Sequence, residues 1–525
     1  MTHRGLGAGE READSWHRVT FGEVRDFALR LAAWLRTERE IKPGQRVGIL
    51  SENRLEVVIV LLATHACGAI AAPLYPGYSP EQVEYACHAF NLDFLFTSNR
   101  AQEQKIKPSR PKLLFESEIF RNIVTSYQPL TPEQRASIGD MSPAFIVATS
   151  GTIGEAKGAL IPHYGIYHST ERVMEFGLPT KWKRIVSILP LFHLSGLTDL
   201  YSTAIVHGEM WMVERKEELL NAFRDARPSH FVCVPNLFVK VKETIEARMR
   251  QGSILKRFLF WWAMGLGRRR LAGTIKLSDR LLLPIAERLI FKKTKALFGG
   301  KIEEFGTTGA QLPQETYDFY WSLGMPLIES YGLTETGILT SNRLSDSRQG
   351  TVGRPMPETS IRIAEDGEIQ VKDKNRVLGY VNAPFELTSD GYFATGDLGR
   401  FTDEGTLQII GRKKELIILN TGENIAPVKV EAAIKRSPRI EDAVCVGDGR
   451  KFLSIALVPA AGSRLDDPEG EIEKYSEGLA TFERPKKYFV IPEIPAKVLT
   501  PTLKVKRALF EQYFRDKIDR LYSVE

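Results

Sequence analysis

The feature that most constrains the fold of this chain is a repeated alternation of short apolar strands with longer amphipathic stretches. The stretch Phe21–Arg36 carries apolar residues at helical spacing, and strand-like apolar runs follow it at Arg46–Leu50, Phe94–Thr97, Phe145–Ala148, Ile185–Leu189 and Phe231–Val234. Such alternation predicts mostly parallel sheets with helices packed on their faces. In open sheets of this kind, ligands bind beyond the carboxyl ends of the strands.

The last third of the sequence has a different pattern. From Gly350 onwards, short strand-like pieces are separated by Asp-Gly and Glu-Gly turns, at Ser360–Ala364, Glu368–Lys372, Gly391–Phe393 and Gly405–Ile410. A small α/β part follows these strands. We therefore expect an α/β fold with a large N-terminal domain of mostly parallel sheets, flanking helices and a β-rich subdomain. Its residues would be 1–411, followed by a hinge at 412–414 and a C-terminal domain at 415–525.

Charge and cysteine content narrow the classes of partner. The chain has 71 Lys and Arg against 65 Asp and Glu, a formal net charge of +6, which favours anionic substrates or lipid surfaces and is too weak to predict nucleic-acid binding. Four distant cysteines without a C-x-x-C pair predict buried, reduced thiols in a cytoplasmic protein: Cys67, Cys87, Cys233 and Cys445.

One segment has the composition of a membrane-surface helix. The apolar run Phe258–Gly267 is ten residues long, roughly half a membrane span, so no transmembrane helix is expected. Aromatic and basic residues adjoin each other in Phe258–Arg270. This pattern is typical both of helices that lie at a lipid interface and of ordinary helices with a solvated face.

A Gly/Thr-rich stretch follows one predicted strand. Ala148–Gly158 reads A-T-S-G-T-I-G-E-A-K-G, and its glycines fit neither a Walker A loop nor a dinucleotide fingerprint. Backbone N–H groups, hydroxyls and a lysine are the donors that cradle a polyphosphate. Taken alone, the stretch is equally typical of a solvent-exposed turn.

Further loops carry polar groups after strand-like pieces. His193 lies in L-P-L-F-H-L-S-G, where a histidine is more often structural. In E-S-Y-G-L-T-E-T-G, Tyr331 offers a flat face for a base, and Thr334 and Glu335 offer oxygens suited to phosphate and magnesium. Asp397 lies in a glycine turn, where a carboxylate can accept hydrogen bonds from ribose hydroxyls.

The ordered set of motifs resembles the adenylate-forming superfamily of acyl-CoA synthetases, acyl carrier protein ligases and luciferases. These motifs are the stretch Ala148–Gly158, L-P-L-F-H, G-T-T-G-A-Q-L-P, Y-G-L-T-E-T-G, A-T-G-D, I-I-G-R-K-K-E, N-T-G-E-N-I-A-P-V-K-V-E and L-T-P-T-L-K-V-K-R. A-A-P-L-Y-P-G-Y and the basic-aromatic segment are similar to the long-chain fatty acyl-CoA synthetase branch.

The resemblance implies a small, mobile C-terminal α+β domain and two half-reactions. A fatty acid would attack the α-phosphate of ATP with Mg²⁺ present, and coenzyme A would then displace AMP. Positioning and electrostatic stabilisation would supply most of the catalysis.

The resemblance also implies roles for individual residues. The β- and γ-phosphates would be held by Thr149, Ser150, Gly151, Thr152, Gly154 and Lys157. Mg²⁺ would be bound by Thr149 and Glu335, and Thr334 would contact the α-phosphate. Adenine would lie against Tyr331 and Gly332, with Gly309, Ala310 and Glu329 around it. The ribose would be held by Asp397 and Arg412, and His193 would line the acyl entrance.

Lys504 would bridge the α-phosphate and the substrate carboxylate, with Lys506 as the rival for that role. Two positions depart from the family pattern: Ile153 replaces a common hydroxyl residue and Ala156 a common proline. These two departures suggest one alternative to a CoA ligase, a degenerate member that binds nucleotide or lipid without catalysis. The alternative within the class is an acyl-AMP ligase that loads a carrier protein. The sequence leaves acyl length and oligomeric state open, a homodimer included.

Overall fold

The computed structural model describes residues 2–3, 16–149, 156–175, 184–460, 462–499 and 505–523, with the side chains of 2–3 and 173–175 excepted. The chain forms two compact units. The first consists of Met1–Ser360 with Asp373–Glu386, and the second of Ile361–Lys372 with Leu387–Glu525. The boundary expected at 412–414 falls within the second unit, and the hinge stays a prediction.

A seven-stranded sheet forms the first core of the first unit. Five of its strands run parallel, whereas Lys157–Pro162 and Gly379–Tyr380 pair antiparallel at one edge. In spatial order the strands are Gly379–Tyr380, Lys157–Pro162, Pro143–Thr149, Ile70–Leu74, Arg46–Leu50, Phe94–Thr97 and Lys112–Leu114.

Local signals explain where the helices around this sheet begin. Thr20 and Glu23 form a reciprocal capping box that starts the helix Phe21–Glu38, and Ser79 forms another with Gln82. The apolar faces of these helices cover a core that includes Leu31, Ile59 and Phe96. The helices are Phe21–Glu38, Leu55–Ala66, Pro80–Ala89, Arg100–Glu103, Glu118–Ser126 and His163–Glu175.

A nine-stranded sheet forms the second core of the same unit. Its central strands run parallel, and the antiparallel pairs lie toward its two ends. In spatial order they are Arg354–Pro355, Gly337–Ser341, Leu327–Leu333, Glu304–Thr307, His230–Cys233, Arg184–Ser187, Glu209–Met212, Thr2–His3 and His17–Arg18. The remaining helices of this unit are Leu194–Ile205, Leu219–Ala226, Pro235–Arg250, Ile254–Leu271, Leu277–Ala286, Lys292–Ala296 and Gln314–Ser322, with a π-helical turn at Glu287–Phe291.

The second unit contains the β-rich part and a small α+β part. A four-stranded sheet is formed by Ser360–Ile363, Glu368–Lys372, Phe393–Phe401 and Leu407–Arg412. A two-stranded ladder joins Ile417–Ile418 to Asn424–Ile425. A three-stranded sheet contains Ile440–Val446, Ser454–Pro459 and Lys487–Val490, with helices Pro427–Ile434, Pro468–Ser476, Arg507–Tyr513 and Arg515–Ser523.

The expected α/β fold class is confirmed, and several element bounds differ from those expected. The strand expected at Gly391–Phe393 is Phe393–Phe401, and the polar, acidic part of the C-terminal region contains the helix Pro468–Ser476. Asp467 caps that helix and proline occupies its first position, which is a strong local start signal. All four cysteines are buried and free. In the described parts of the chain, no helix is long and apolar enough to cross a membrane.

Candidate functional site

The predicted phosphate-binding stretch, Ala148–Gly158, begins and ends on two paired strands. Thr149 lies directly opposite Lys157, and its hydroxyl is 3.5 Å from the carbonyl oxygen of Lys157. The Nζ atom of Lys157 is 5.0 Å from the centroid of the Tyr380 ring. Among the described residues, Lys157 forms no ion pair, so its charge remains available for an anion. The predicted ligands between these strands, Ser150, Gly151, Thr152 and Gly154, lie outside the described residues.

Glu335, the predicted magnesium ligand, is buried beside the same tyrosine. Glu335 is only 9% exposed. Its carboxylate oxygen Oε1 accepts a hydrogen bond from the Tyr380 hydroxyl at 2.6 Å. The backbone carbonyl of Glu335 accepts from the Val377 amide at 2.8 Å. Sequence reasoning missed Tyr380, because 45 residues separate it from Glu335 and its own neighbours carry no recognisable site pattern.

Asn382 is a second residue that sequence reasoning missed. Its Oδ1 accepts from the Gly158 amide at 2.9 Å, and its Nδ2 donates to the Ala156 carbonyl at 3.0 Å. The side-chain amide therefore holds the end of the predicted phosphate-binding stretch on both sides of Lys157. The Ala156 carbonyl is held by this hydrogen bond. This part of the chain is therefore fixed without the proline that the family resembled by the sequence commonly has at position 156.

The residues predicted to surround adenine include several on the strand Leu327–Leu333. Glu329 is 6% exposed, and burial raises the pKa of its carboxyl to about 7 although the Leu312 amide donates to it at 3.2 Å. Tyr331 lies opposite Thr340 and is half-buried. Gly332 passes so close to the neighbouring strand that a Cβ would lie 2.1 Å from the Gly337 carbonyl oxygen, which requires glycine there.

The other predicted nucleotide residues of the first unit lie at the ends of strands. Gly309 has φ +87° in the exposed turn after the strand Glu304–Thr307, and Ala310 follows it in the same turn. Thr334 is half-buried between Leu333 and Glu335. Both segments therefore end at the edge of the nine-stranded sheet where bound ligands are expected.

His193 caps the helix Leu194–Ile205. Its Nδ1 is 3.3 Å from the Ser195 amide, which donates to it, and 2.8 Å from the Ser195 hydroxyl. The loop before it is fixed by Asn53, whose side chain bonds the backbone of Leu189 and Leu191 at 2.9 Å each. These contacts give His193 a structural role at a strand end, and its role at an acyl entrance stays a prediction.

The predicted ribose residues meet in the second unit. Asp397 and Arg412 lie directly opposite each other on paired strands, and Arg412 Nε is 2.8 Å from Asp397 Oδ1. Asp397 is 5% exposed, whereas half of the Arg412 side chain is exposed. Next to them, ion pairs with Asp366 and Glu368 raise the pKa of Lys413 to about 12. Lys504 lies outside the described residues.

The side chains present suit a magnesium ion that shares its ligands with a nucleotide. Within the described residues, no group of three His, Cys, Asp or Glu side chains could hold a metal alone. Mg²⁺ commonly binds through one or two carboxylates, waters and substrate phosphates. Glu335 fits this use, because Tyr380 engages one carboxylate oxygen and no described residue donates to the other.

Comparison with known proteins gives relatives along nearly the whole chain. Long-chain-fatty-acid–CoA ligase FadD15 of Mycobacterium tuberculosis is 29% identical, over 97% of this chain and 93% of the relative. Long-chain-fatty-acid–CoA ligase 1 of Cavia porcellus is 27% identical, over 100% of this chain and 85% of the relative.

Solved structures share the fold at lower identity. ATP-bound MatB from Rhodopseudomonas palustris has a TM-score of 0.76 at 22% identity, covering 95% of this chain and 94% of that one. The o-succinylbenzoate coenzyme A synthetase MenE from Bacillus subtilis, in complex with ATP and magnesium, has a TM-score of 0.72 at 22% identity, covering 94% and 93%.

Family descriptions match both parts of the chain. The description "AMP-binding enzyme" matches residues 6–382, and "AMP-binding enzyme C-terminal domain" matches residues 414–525. Together with the ordered motifs and the pairing of Thr149 with Lys157, these matches show that the chain belongs to the AMP-binding enzyme family.

Proposed function

We propose that this protein is an AMP-forming fatty-acid:CoA ligase that uses ATP and Mg²⁺. The observation that carries the proposal is the arrangement around Tyr380: Lys157, which forms no ion pair with any described residue, and the buried Glu335 carboxylate both contact this tyrosine at the end of the predicted phosphate-binding stretch. The names of the relatives from M. tuberculosis and C. porcellus support the choice of long-chain acids and CoA.

The first half-reaction joins two anions, so charge is its main obstacle. The fatty-acid carboxylate attacks the α-phosphorus of ATP, the bond to the bridging oxygen breaks, and pyrophosphate leaves. Bound Mg²⁺ would neutralise phosphate charge. Lys157 would hold the β- and γ-phosphates, Glu335 and Thr149 would bind the ion, and Lys504 would draw the carboxylate to the α-phosphate. Preorganised charges of this kind commonly supply the largest part of the rate acceleration.

The second half-reaction transfers the acyl group to a thiol. The sulfur of CoA attacks the acyl carbonyl, and AMP leaves with the electrons of the broken acyl–oxygen bond. Asp397 and Arg412 would hold the ribose, and Tyr331 would lie against adenine, so that the adenylate stays oriented through this step.

Pyrophosphate release measured with ATP, Mg²⁺ and palmitate or oleate tests the proposal. We expect turnover that yields acyl-CoA only when CoA is present. Adenylate formation without transfer to CoA would favour the ligase that loads a carrier protein, and binding of ATP without adenylate would favour the degenerate member. Lys504→Ala should abolish adenylate formation while Lys506→Ala retains it. A wild-type rate for Lys504→Ala contradicts the assignment.

We also propose that this cytoplasmic enzyme contacts anionic membranes through the helices after Ser253. Between Ser253 and Leu297 the chain has 11 lysine or arginine residues and 2 acids, so this segment carries 11 − 2 = +9 while the whole chain carries +6. Both acids are paired, Asp279 with Arg269 and Glu287 with Lys295. Clustered basic residues attract anionic lipid headgroups over roughly a Debye length.

The segment Phe258–Arg270, where the sequence predicts the membrane contact, supplies only part of the proposed membrane-binding surface. Five of its residues are buried in the core: Phe260, Ala263, Met264, Leu266 and Gly267. Large exposed apolar side chains lie at the start of the helix Ile254–Leu271 and along the helix Leu277–Ala286. Leu277 and Leu281 are 77% and 75% exposed, and the whole set is Ile254, Leu255, Phe258, Leu277, Leu281 and Ile285. Apolar side chains beside basic ones are the pattern of interfacial helices.

Sedimentation with vesicles tests this contact. We expect binding to phosphatidylcholine vesicles that contain about a third phosphatidylglycerol, weakened several-fold by Leu277→Glu or Leu281→Glu and lost in high salt. Ile119→Glu is the matched control, because Ile119 is also exposed, at 59%, on another helix of the first unit. Equal binding by all three variants, or no binding by the wild type, contradicts the proposal.

A further inference from the structure

Tyr380 lies where three parts of the candidate site meet. Its two-residue strand pairs antiparallel with the strand Lys157–Pro162, and Tyr380 lies opposite Ala159. Backbone hydrogen bonds of 2.8 Å flank this pair, from the Leu378 amide to Leu160 and from the Val381 amide to Gly158. The backbone of Tyr380 is therefore fixed relative to Lys157, which begins the same paired strand.

The phenol ring contacts two oppositely charged groups at once. Its hydroxyl donates to Glu335 Oε1 at 2.6 Å, and the Lys157 ammonium is 5.0 Å from the ring centroid. The hydrogen bond is short, as expected for a neutral donor on a carboxylate. The ammonium lies within the range of a cation–π interaction. Phe385 packs against the ring edge at 5.6 Å between centroids and has no part in either polar contact.

A direct ion pair between Lys157 and Glu335 would leave neither side chain free to bind a ligand. Such a pair would neutralise the ammonium that the phosphates need and the carboxylate that the cation needs. Contacts with a neutral phenol orient each group and leave its full charge in place. Among the described residues, neither Lys157 nor Glu335 forms an ion pair. The ring thus acts as a neutral spacer between the two charges.

We propose that Tyr380 is a positioning residue that keeps Glu335 and Lys157 apart and oriented for the cation and the phosphates. This inference rests on the proposed function, because it takes Glu335 as the metal ligand and Lys157 as a phosphate ligand. Hydrogen bonds that orient a metal-binding carboxylate are typically worth 10–100-fold in metal affinity.

Two substitutions separate the two contacts of the ring. Tyr380→Phe removes the hydroxyl and keeps the ring, so we expect about 10-fold weaker Mn²⁺ affinity in the presence of ATP, with the KM for ATP at saturating metal within about twofold of wild type. Tyr380→Leu removes the ring as well and should also raise the KM for ATP several-fold. Mn²⁺ binding is measured by electron paramagnetic resonance without fatty acid, so that no turnover is needed.

Tyr127→Phe is the matched control, because the Tyr127 hydroxyl donates to Glu38 at 3.1 Å elsewhere in the first unit. It should leave Mn²⁺ affinity unchanged. Glu335→Gln serves as the reference for a lost ligand. If Glu335→Gln weakens Mn²⁺ binding and Tyr380→Phe does not, the role of Tyr380 is refuted while the proposed function stands. If Glu335→Gln leaves Mn²⁺ binding unchanged, the metal assignment and the inference both fail.

Discussion

A buried ion pair anchors the segment that carries Tyr380 and Asn382, and its removal should loosen that segment. Arg172, on the helix His163–Glu175, is 1% exposed and donates from Nη1 to both carboxylate oxygens of Asp373 at 3.0 Å. Thr359 also donates to Asp373, at 2.6 Å. Asp373 is the first residue of the stretch Asp373–Glu386 that returns to the first unit.

The expected cost of Arg172→Leu follows from the charge left behind. Removing one partner of a buried pair typically costs about 3–5 kcal/mol, because the other charge stays buried without compensation. Asp373 keeps its bonds from Thr359 and from the Asn375 amide at 2.8 Å, so we expect the lower end, about 3 kcal/mol. That loss raises the population of locally opened molecules by roughly 100-fold.

Hydrogen exchange followed by mass spectrometry measures this opening. The amides of Leu378 and Val381, which bond to the strand Lys157–Pro162, should lose about 100-fold in protection. The double variant Arg172→Leu/Asp373→Leu should recover most of it, because apolar replacement of a whole buried pair is often nearly neutral. Arg110→Leu breaks a more exposed pair with Glu84 and should change little. Wild-type protection in Arg172→Leu, or no recovery in the double variant, refutes the reasoning.

Three further predictions concern single residues of the candidate site. The folded pKa of Glu329 lies near 7, above its unfolded value, so the stability it contributes is present at low pH and is lost as pH rises from about 4.5 to 7. Glu329→Gln should therefore stabilise the first unit at pH 8 relative to pH 5 by up to about 3 kcal/mol, measured by urea unfolding against wild type. Asn382→Ala should raise the KM for ATP several-fold. Asn382→Asp loses the donations to the Ala156 carbonyl and the Tyr85 hydroxyl but keeps the acceptor for the Gly158 amide, so it should raise the KM less. Equal KM values for the two variants contradict the two-sided anchor. Gly332→Ala should lower both the stability of the protein and its affinity for ATP, because the added Cβ would collide with the Gly337 carbonyl. ATP affinity is measured by calorimetry, and a wild-type affinity would show that the strand shifts to make room for the methyl group.

Residues that act through local pairing were predictable from the sequence. Thr149 and Lys157 face each other on two paired strands that are close in the sequence, and Asp397 faces Arg412 on another such pair. The sequence predicts too short a strand at Phe393–Phe401, because glycines interrupt the alternation of apolar and polar residues. The pairing register of this strand also shifts between Leu398 and Gly399.

Residues that act across long separations were not predictable. Tyr380 and Asn382 reach Glu335 and Gly158 only because a two-residue strand adds to a distant sheet edge, and two residues leave no periodicity to detect. The raised pKa of Glu329 depends on its burial in the folded chain, which the residues around it in the sequence do not reveal. The exposed stripe at Leu277 and Leu281 looks in sequence like an ordinary buried helix face.

The pairing of Gly379–Tyr380 with Lys157–Pro162 also affects how the protein is made. Gly158 and Asn382 are 224 residues apart, which at 5–20 residues per second corresponds to roughly 11–45 s of translation. During that interval the edge of Lys157–Pro162 has unpaired backbone groups, a template for pairing with other chains. Nascent chains that stall before residue 382 should therefore be the ones that aggregate or recruit chaperones, and slow codons in this interval should lower the yield of folded enzyme.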